Sequence, residues 1–295
     1  MAPEISPAPI RGGQLEPIFL DYLREFVHLS GHRPQTARRY GSVFRRFRRS
    51  VPQPLADIGP AQLATFCEAS SDLGPRTLDL YLDILSAFFS WSVKRGHVGT
   101  NPFSDFRRSR AELSLPRPFE LSEARGYVER CKNPREHMFL QLLLHTGGRP
   151  SEVANLNLAD VDVSEASVTF TNTKGRRARS VFLGGEILTE LRAYLDWRAK
   201  AAPPSEALFV QANGHRFGTR EMRNACRRDG LPTTLHRYRH TFATQSLKLS
   251  GGDLRLVQEL CGHASPLTTA RYTQVDAAQK RLAAERLAGA LGRTD

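Results

Sequence analysis

The sequence predicts a mainly α-helical protein with one small antiparallel β-sheet, arranged as two domains. The chain has 295 residues, which is long enough for two separate hydrophobic cores. Apolar residues recur at helical spacing through most of it, whereas β-type residues gather in one stretch, residues 161–182. Hydrophobic residues make up 40% of the chain and charged residues 24%, which is typical of a soluble globular protein.

Residues 14–98 are predicted to form a helical domain, after a disordered lead-in over residues 1–13 that is rich in proline, alanine and glycine. The fourth helix of this domain has a wide apolar stripe, which is typical of a helix that faces a core. Four such helices are enough for a compact unit. They are expected over residues 15–29, 36–49, 60–69 and 75–94.

The second predicted helix carries six arginines and no acidic residue. Cations at this density repel one another unless a polyanion neutralises them. Contact with the DNA backbone is therefore favoured over a solvated charged face. These arginines are Arg38, Arg39, Arg45, Arg46, Arg48 and Arg49.

The chain as a whole is basic, with 42 Lys+Arg against 30 Asp+Glu and a formal net charge of +12. This balance points towards nucleic acid or an acidic surface, and a merely soluble basic protein is the alternative. Four widely spaced cysteines without a CxxC motif indicate reduced thiols in a cytoplasmic protein. The N-terminus does not resemble a signal peptide, and the longest apolar run, residues 138–144, is too short to span a bilayer.

Residues 99–118 are predicted to be a basic interdomain linker, because prolines and glycines interrupt them and arginines charge them. Such a linker can lie along a duplex, and its Arg107 and Arg108 are candidate DNA contacts. The second domain is predicted over residues 119–295. Its helices are expected over residues 121–131, 134–146, 186–200, 219–228, 235–249, 253–260 and 277–291.

Some features of this second domain indicate contacts beyond its own core. Two strands, 167–171 and 179–183, flank a basic turn that carries Lys174. The helix over 219–228 presents Arg220 and Arg223 as candidate DNA contacts. The helix over 277–291 has a narrow apolar strip that suits docking on a neighbouring subunit, and folding back on its own chain is the alternative. A short buried strand is expected over residues 207–210.

Two histidines and two arginines occur within five residues, 236–240, of a helix that is otherwise patterned for burial. His236 and Arg239 are three residues apart and share a helix face. Cations that converge from a partly buried face require an anion, and arginine's planar fork matches phosphate oxygens two at a time. Arg149 follows a Gly-Gly turn at the start of a short helix, where anions are also favoured.

His236 and His240 have the spacing of a helical zinc pair. However, Arg237 lies between them where a glutamate base would be needed, and two nearby arginines repel a cation. His240 is therefore interpreted as a buried hydrogen-bonding residue, and no metal or other cofactor is expected.

Five short motifs carry a family resemblance, and their order matters more than any one of them. Together they resemble the tyrosine recombinase (phage-integrase, Xer-like) family over essentially the whole chain. The resemblance implies a helical, SAM-like core-binding domain, a linker and an α+β catalytic domain. The motifs are Thr-Gly-Gly-Arg-Pro-Ser-Glu at 146–152, Thr-Lys-Gly at 173–175, His-Arg-Tyr-Arg-His-Thr-Phe-Ala-Thr at 236–244, Leu-Cys-Gly-His at 260–263 and Thr-Thr-Ala-Arg-Tyr at 268–272.

The resemblance also implies a mechanism that the residue types support. The Tyr272 hydroxyl attacks a scissile DNA phosphate and forms a 3′-phosphotyrosyl link, which conserves the bond energy for religation. Arg149 and Arg239 bind the non-bridging oxygens as charge develops on them. Lys174 protonates the leaving 5′ oxygen.

The resemblance assigns supporting roles to three further residues. His236 assists proton transfer at the tyrosine, His263 hydrogen-bonds the phosphate, and Glu152 supports Arg149 from behind. Members of the family act as four protomers on two duplexes and proceed through a Holliday junction. Double-stranded DNA with an inverted-repeat core site is therefore the expected partner.

Two other functions share this fold or chemistry. The first is a non-catalytic DNA-binding accessory factor, against which the presence of all six site residues argues. The second is a type IB topoisomerase, which the core-binding domain and the Xer-like motifs disfavour. Integration, excision, and dimer or cointegrate resolution all remain open as the biological role.

Overall fold

A computed structural model describes residues 17–29, 34–104, 117–171 and 178–262. The chain divides into two compact units, Met1–Leu113 and Ser114–Asp295. This division falls inside the stretch predicted as a linker, whose bounds remain a prediction, as do those of both domains. Several predicted features lie outside the described residues, namely the lead-in, Arg107, Arg108, Lys174, His263, Tyr272 and the helix over 277–291.

The described part of the first unit contains the four predicted helices. Its core is aromatic: Phe19, Phe44 and Phe88 are fully buried, and their ring centroids lie 4.4–5.1 Å apart. Such pairs bury large areas and add specific ring geometry to the hydrophobic term. The helices are α1 (Pro17–Leu29), α2 (Pro34–Ser50), α3 (Pro60–Glu68) and α4 (Pro75–Lys94).

The second unit surrounds α6, a helix that is buried on nearly every side. Helix α10 packs on α6, so residues of α10 lie next to the turn that follows α6. Six large apolar residues, from Met138 to Leu144, are buried along this helix, so α6 forms the centre of the core. The helices are α5 (Leu121–Arg130), α6 (Pro134–Thr146), α7 (Pro150–Ala154), α8 (Gly185–Ala201), α9 (Thr219–Arg228), α10 (His236–Leu249) and α11 (Leu254–Cys261).

The sheet of this unit is antiparallel, with the order β1-β2-β3 (Val161–Asp162, Ser167–Phe170 and Arg179–Phe182). Val168 lies opposite Val181, and both side chains are buried. The prediction of a mainly helical chain with one small antiparallel sheet is confirmed. Among the described helices, none combines the length and the apolar character needed to cross a membrane.

The predicted strand over residues 207–210 is wrong. All four residues are buried, but Ala207 and Val210 make only isolated bridges, to Asn157 and Arg216. The buried Arg198 explains this, because its guanidinium donates to the carbonyls of Ala207 (2.6 Å) and Leu208 (2.9 Å). Arginine thus satisfies the backbone acceptors that a neighbouring strand would otherwise use.

Candidate active site

The turn between α6 and α7 places Arg149. Helix α6 ends at Thr146, and the next residue, Gly147, has a φ of 59°, the left-handed conformation that favours glycine at a helix end. A Cβ at Gly147 would collide with the ring of Phe242 in α10, and one at Gly148 would lie 2.7 Å from Phe170 in β2. Both glycines are therefore required for close packing, and they hold Arg149 at the N-cap of α7.

Glu152 holds the Arg149 side chain and backbone together. Its Oε1 accepts from Arg149 Nη1 at 2.6 Å, and its Oε2 accepts from the Arg149 backbone N–H at 2.9 Å. Oε2 also accepts from Arg179 Nη2 at 2.6 Å. Burial opposes ionisation of this carboxyl, but the hydrogen bonds and the positive charges of the two arginines lower its pKa to about 2. Glu152 is a carboxylate at neutral pH.

Arg239 is almost fully buried, with 3% of its surface exposed. Its Nη1 donates to the Gly147 carbonyl at 2.6 Å, and its Nη2 donates to the Cys261 carbonyl at 2.7 Å. Burial, together with the nearby charge of Arg149, lowers the pKa of the Arg239 guanidinium to about 10. The group is therefore still a cation at neutral pH, held in one orientation by two backbone acceptors.

The end of α11 brings Arg149 and Arg239 together. Arg149 Nη2 donates to the carbonyl of Gly262 at 3.3 Å, next to the Cys261 carbonyl that Arg239 uses. The last carbonyls of a helix lack intrahelical partners and carry partial negative charge, so they attract cations. The two arginines predicted to bind the phosphate thus lie close together, on the two residues that precede His263.

His236 begins α10 one turn before Arg239, with its ring at the surface. The protein around the ring and the charges of Arg239, Arg149 and Arg223 lower the pKa of this imidazole. A lowered pKa leaves the ring neutral at pH 7, the form that can accept a proton.

His240 is half-buried, with its ring centroid 6.0 Å from that of His236. Within the described segments, the only group of three metal-ligating side chains is Cys131, Glu136 and Asp229, which does not include either histidine.

Arg179 belongs to the same cluster, but sequence analysis assigned it no role. Its side chain is 10% exposed, donates to Glu152 and lies over the Phe170 ring at 4.5 Å from the centroid. The sequence contained one usable cue. Arg179 lies two residues before the buried Val181 in β3, so the two side chains share the inward face, where an arginine needs acceptors. We call Arg149, Arg179, Arg239 and Glu152 the arginine cluster.

The candidate DNA contacts differ in their surroundings. In α9, Arg220 and Arg223 are exposed, and Arg227 extends the same face by one further turn. In α2, Arg38, Arg39 and Arg49 are exposed, whereas Arg45, Arg46 and Arg48 are half-buried.

Arg46 and Arg48 have partners within their own unit. Arg46 donates to Ser70 Oγ at 3.1 Å and pairs with Asp72. Arg48 donates to the backbone carbonyls of residues 51, 52 and 53, just beyond the end of α2. These two arginines therefore stabilise helix ends, and the exposed ones remain the candidates for a DNA contact.

Comparison with known proteins places this arrangement in a family. Residues 118–279 match the phage integrase family. The chain is 34% identical to tyrosine recombinase XerC of Haemophilus ducreyi over 69% of this chain and 70% of that protein. It is also 34% identical to XerC of Corynebacterium glutamicum over 67% of each.

Solved structures agree with this assignment. The XerA recombinase is 25% identical and covers 91% of this chain, with a TM-score of 0.50. The integrase of transposon Tn1549, in complex with circular intermediate DNA, covers 91% with a TM-score of 0.75, and its 18% identity shows the fold alone. The chain therefore belongs to the phage integrase family, and its activity class is that of a tyrosine site-specific recombinase.

Proposed function

We propose that this protein cleaves and rejoins DNA at a specific site through a 3′-phosphotyrosyl intermediate formed by Tyr272. One observation carries the proposal: the guanidiniums of Arg149 and Arg239 bind adjacent carbonyls at the end of α11, beside a neutral His236. The chain runs from this point through His263 to Tyr272 within ten residues. A phosphate bound by the two arginines is thus within reach of the tyrosine segment.

The two arginines stabilise the charge that develops on the non-bridging oxygens of the scissile phosphate. Arg239 is suited to this role because its orientation is already fixed by Gly147 and Cys261, so little reorganisation is needed during the reaction. Removing one such preorganised donor costs about 3–4 kcal/mol in the transition state, by analogy with an oxyanion hole.

Proton transfers complete the strand cleavage. The Tyr272 oxygen bonds to phosphorus as its proton passes towards His236, and the bond from phosphorus to the 5′ oxygen breaks. Lys174 donates a proton to that leaving oxygen, and His263 hydrogen-bonds the phosphate. The reverse sequence rejoins the strand, so the proposal requires neither a metal ion nor an external energy source.

Double-stranded DNA is the proposed partner. Exposed arginines on α9 and α2 supply the positive surface. A solved structure of λ integrase, with 19% identity and a TM-score of 0.71, is a dimer bound to a core site. XerH, with 21% identity and a TM-score of 0.67, is a recombinase bound to its difH substrate. We propose four protomers on two duplexes, a core site with inverted repeats, and a Holliday-junction intermediate.

Cellular location and assembly follow from the same proposal. The four cysteines lie within the described residues and are present as thiols, which fits our expectation of a cytoplasmic protein. The helix predicted over 277–291 would join neighbouring subunits through its apolar strip.

A covalent trap tests the proposed function. The probe is a pool of nicked duplexes in which two inverted arms are randomised around a short spacer, so that the released fragment diffuses away after cleavage. We expect the wild-type protein to form an adduct that survives SDS, and sequencing of the trapped DNA would define the site. Tyr272→Phe should bind the selected site without forming the adduct. An adduct that persists in this variant, or no adduct with the wild type, would overturn the proposal.

A further inference from the structure

Arg179 connects three parts of the catalytic unit that lie far apart in sequence. It is the first residue of β3, and its side chain reaches Glu152 of α7 and Leu260 of α11. We propose that Arg179 is a positioning residue, which keeps Arg149 and the end of α11 in the geometry that phosphate cleavage requires. This inference rests on the proposed function.

Arg179 and Arg149 share one carboxylate. Glu152 Oε2 accepts from Arg179 Nη2 at 2.6 Å, while Oε1 accepts from Arg149 Nη1 at the same distance. Each arginine therefore restrains the carboxylate against the other. Without Arg179, Oε2 of this buried carboxylate would lose its charged partner and keep only the backbone N–H of Arg149, so the orientation of the carboxylate would be less firmly fixed.

The same side chain also fixes the end of α11. Arg179 Nε donates to the Leu260 carbonyl at 3.0 Å. Arg239 and Arg149 donate to the next two carbonyls, those of Cys261 and Gly262. Three arginines thus bind three consecutive carbonyls, one each, and two of them, Arg179 and Arg149, also bind Glu152.

Packing leaves Arg179 little freedom to move. Its guanidinium lies over the ring of Phe170, its partner across the β2–β3 pair, and that ring in turn packs against Gly148. On another side, a Cβ at Gly262 would lie 3.0 Å from Arg179 Nη1. Nη1 is itself buried, and no described residue accepts a hydrogen bond from it. A small displacement of Arg179 would therefore be transmitted to the Gly-Gly turn and to the residue before His263.

A lysine cannot take over this role. Arg179 uses Nε for one element and Nη2 for another, and the rigid fork sets the angle between the two bonds. An ammonium group retains the charge but not this paired geometry. Arg179→Lys is therefore the informative variant, since it preserves electrostatics while releasing the alignment.

The test compares two substrates in single-turnover cleavage of the trapped site at saturating protein. The first has a normal scissile phosphate, and the second has a methylphosphonate there, with each stereoisomer measured separately. The methylphosphonate is uncharged and has one non-bridging oxygen fewer, so it depends on one arginine fewer. A variant that misplaces Arg149 should therefore lose more rate on the phosphate than on the methylphosphonate.

By analogy with residues that support metal ligands, we expect Arg179→Lys to cleave the phosphate substrate roughly 10–100-fold more slowly than the wild type. On the methylphosphonate substrate, the fold-loss in cleavage rate should be at most about a tenth of the fold-loss on the phosphate substrate. Arg149→Ala serves as the positive control and should show the same asymmetry. DNA affinity should be unchanged for Arg179→Lys.

Arg198→Lys is the matched control. Arg198 is also a buried arginine that donates to backbone carbonyls, but its partners are those of residues 205, 207 and 208. The Arg198→Lys variant should have a lower thermal stability than the wild type, but the ratio of its cleavage rates on the two substrates should be unaltered.

If the wild type cleaves DNA, three results would overturn the role of Arg179 without affecting the proposed function. They are an equal loss on both substrates, a rate within about two-fold of wild type on the phosphate, and failure of Arg179→Lys to fold. The last result would make Arg179 a stabiliser of the fold and not a positioning residue. If the wild type forms no adduct with the phosphate substrate, the proposed function fails as well.

Discussion

The exposed arginines of α2 and those of the arginine cluster are the same residue type in opposite surroundings. In α2, Arg38, Arg39 and Arg49 are exposed to solvent. In the cluster, Arg239 is buried and the Arg179 side chain is only 10% exposed, and carbonyls and a carboxylate set the direction of their nitrogens. An exposed arginine supplies charge that salt screens, whereas a buried and bonded arginine supplies geometry. Substitutions in α2 should therefore weaken DNA binding, whereas substitutions in the arginine cluster should slow cleavage.

The largest effect is expected at Arg239. Arg239→Ala should slow single-turnover cleavage by about 100–1,000-fold, because a preorganised donor to the phosphate is lost. Affinity for the trapped site should remain within about ten-fold of wild type, since we propose that several other arginines contact the DNA backbone. Gel shift and adduct formation, measured on the same preparation, check both statements. Complete loss of DNA binding by Arg239→Ala would contradict the view that the arginine cluster acts mainly in cleavage and the α2 arginines mainly in binding.

The acid stability of the catalytic unit should depend on Glu152. The pKa of this carboxyl is about 2 in the folded protein and near its ordinary 4.5 when unfolded, so its ionised form stabilises the fold at any pH above 4.5. That contribution disappears as the pH falls through 4.5 towards 2. The difference in unfolding free energy between wild type and Glu152→Gln should therefore shrink by roughly 3 kcal/mol across this window.

Denaturant unfolding of the two proteins at a series of pH values measures that difference directly. A difference that stays constant between pH 5 and pH 2 would mean that Glu152 is not held ionised by its two arginines.

Comparing alanine variants of Gly262 and Gly230 distinguishes the effect of backbone strain from the effect of contact with the arginine cluster. Its φ is 61°, and an added Cβ would press on Arg179, whereas Gly230 has a φ of 64° and open space around it. Gly230→Ala should cost about 1–2 kcal/mol of stability through the left-handed conformation alone, without changing cleavage. Gly262→Ala should cost more and should also slow cleavage about ten-fold, because Arg179 is displaced. Equal behaviour of the two variants in thermal denaturation and cleavage would refute the close contact.

The smallest effect is expected in α2. Replacing the exposed Arg38, Arg39 and Arg49 by glutamine should weaken DNA binding and reduce the salt slope of the binding constant by up to about 3, while saturated cleavage is unchanged. Arg46→Gln should instead destabilise the first unit by about 1 kcal/mol, because its bonds to Ser70 and Asp72 are lost. Salt titrations and thermal unfolding distinguish the two outcomes. A triple variant with an unaltered salt slope would remove α2 from the DNA interface.

Features that depend on local pattern could be read from the sequence. The apolar stripe of α4, the Gly-Gly turn before Arg149 and the two strands beside a basic turn all follow from nearest neighbours along the chain. The family could be recognised for a related reason, since its short motifs keep their order.

Features that depend on tertiary partners could not be read in this way. The stretch 207–210 has strand-like apolar residues, but Arg198 binds its carbonyls from a helix that is adjacent only in the folded protein. Arg46 and Arg48 look like the other arginines of α2 until their acceptors at the ends of the helices are known. Arg179 shows the same limit, because its importance comes from Glu152 and Leu260, 27 and 81 residues away.

The most direct test of the account is to identify the residue that becomes attached to DNA. The adduct trapped on the nicked site would be digested with trypsin and nuclease, and the modified peptide would be sequenced by mass spectrometry. We expect a single nucleotide-bearing tyrosine, Tyr272, linked to the 3′ phosphate. Attachment through any other residue, or through the 5′ end of the break, would contradict it.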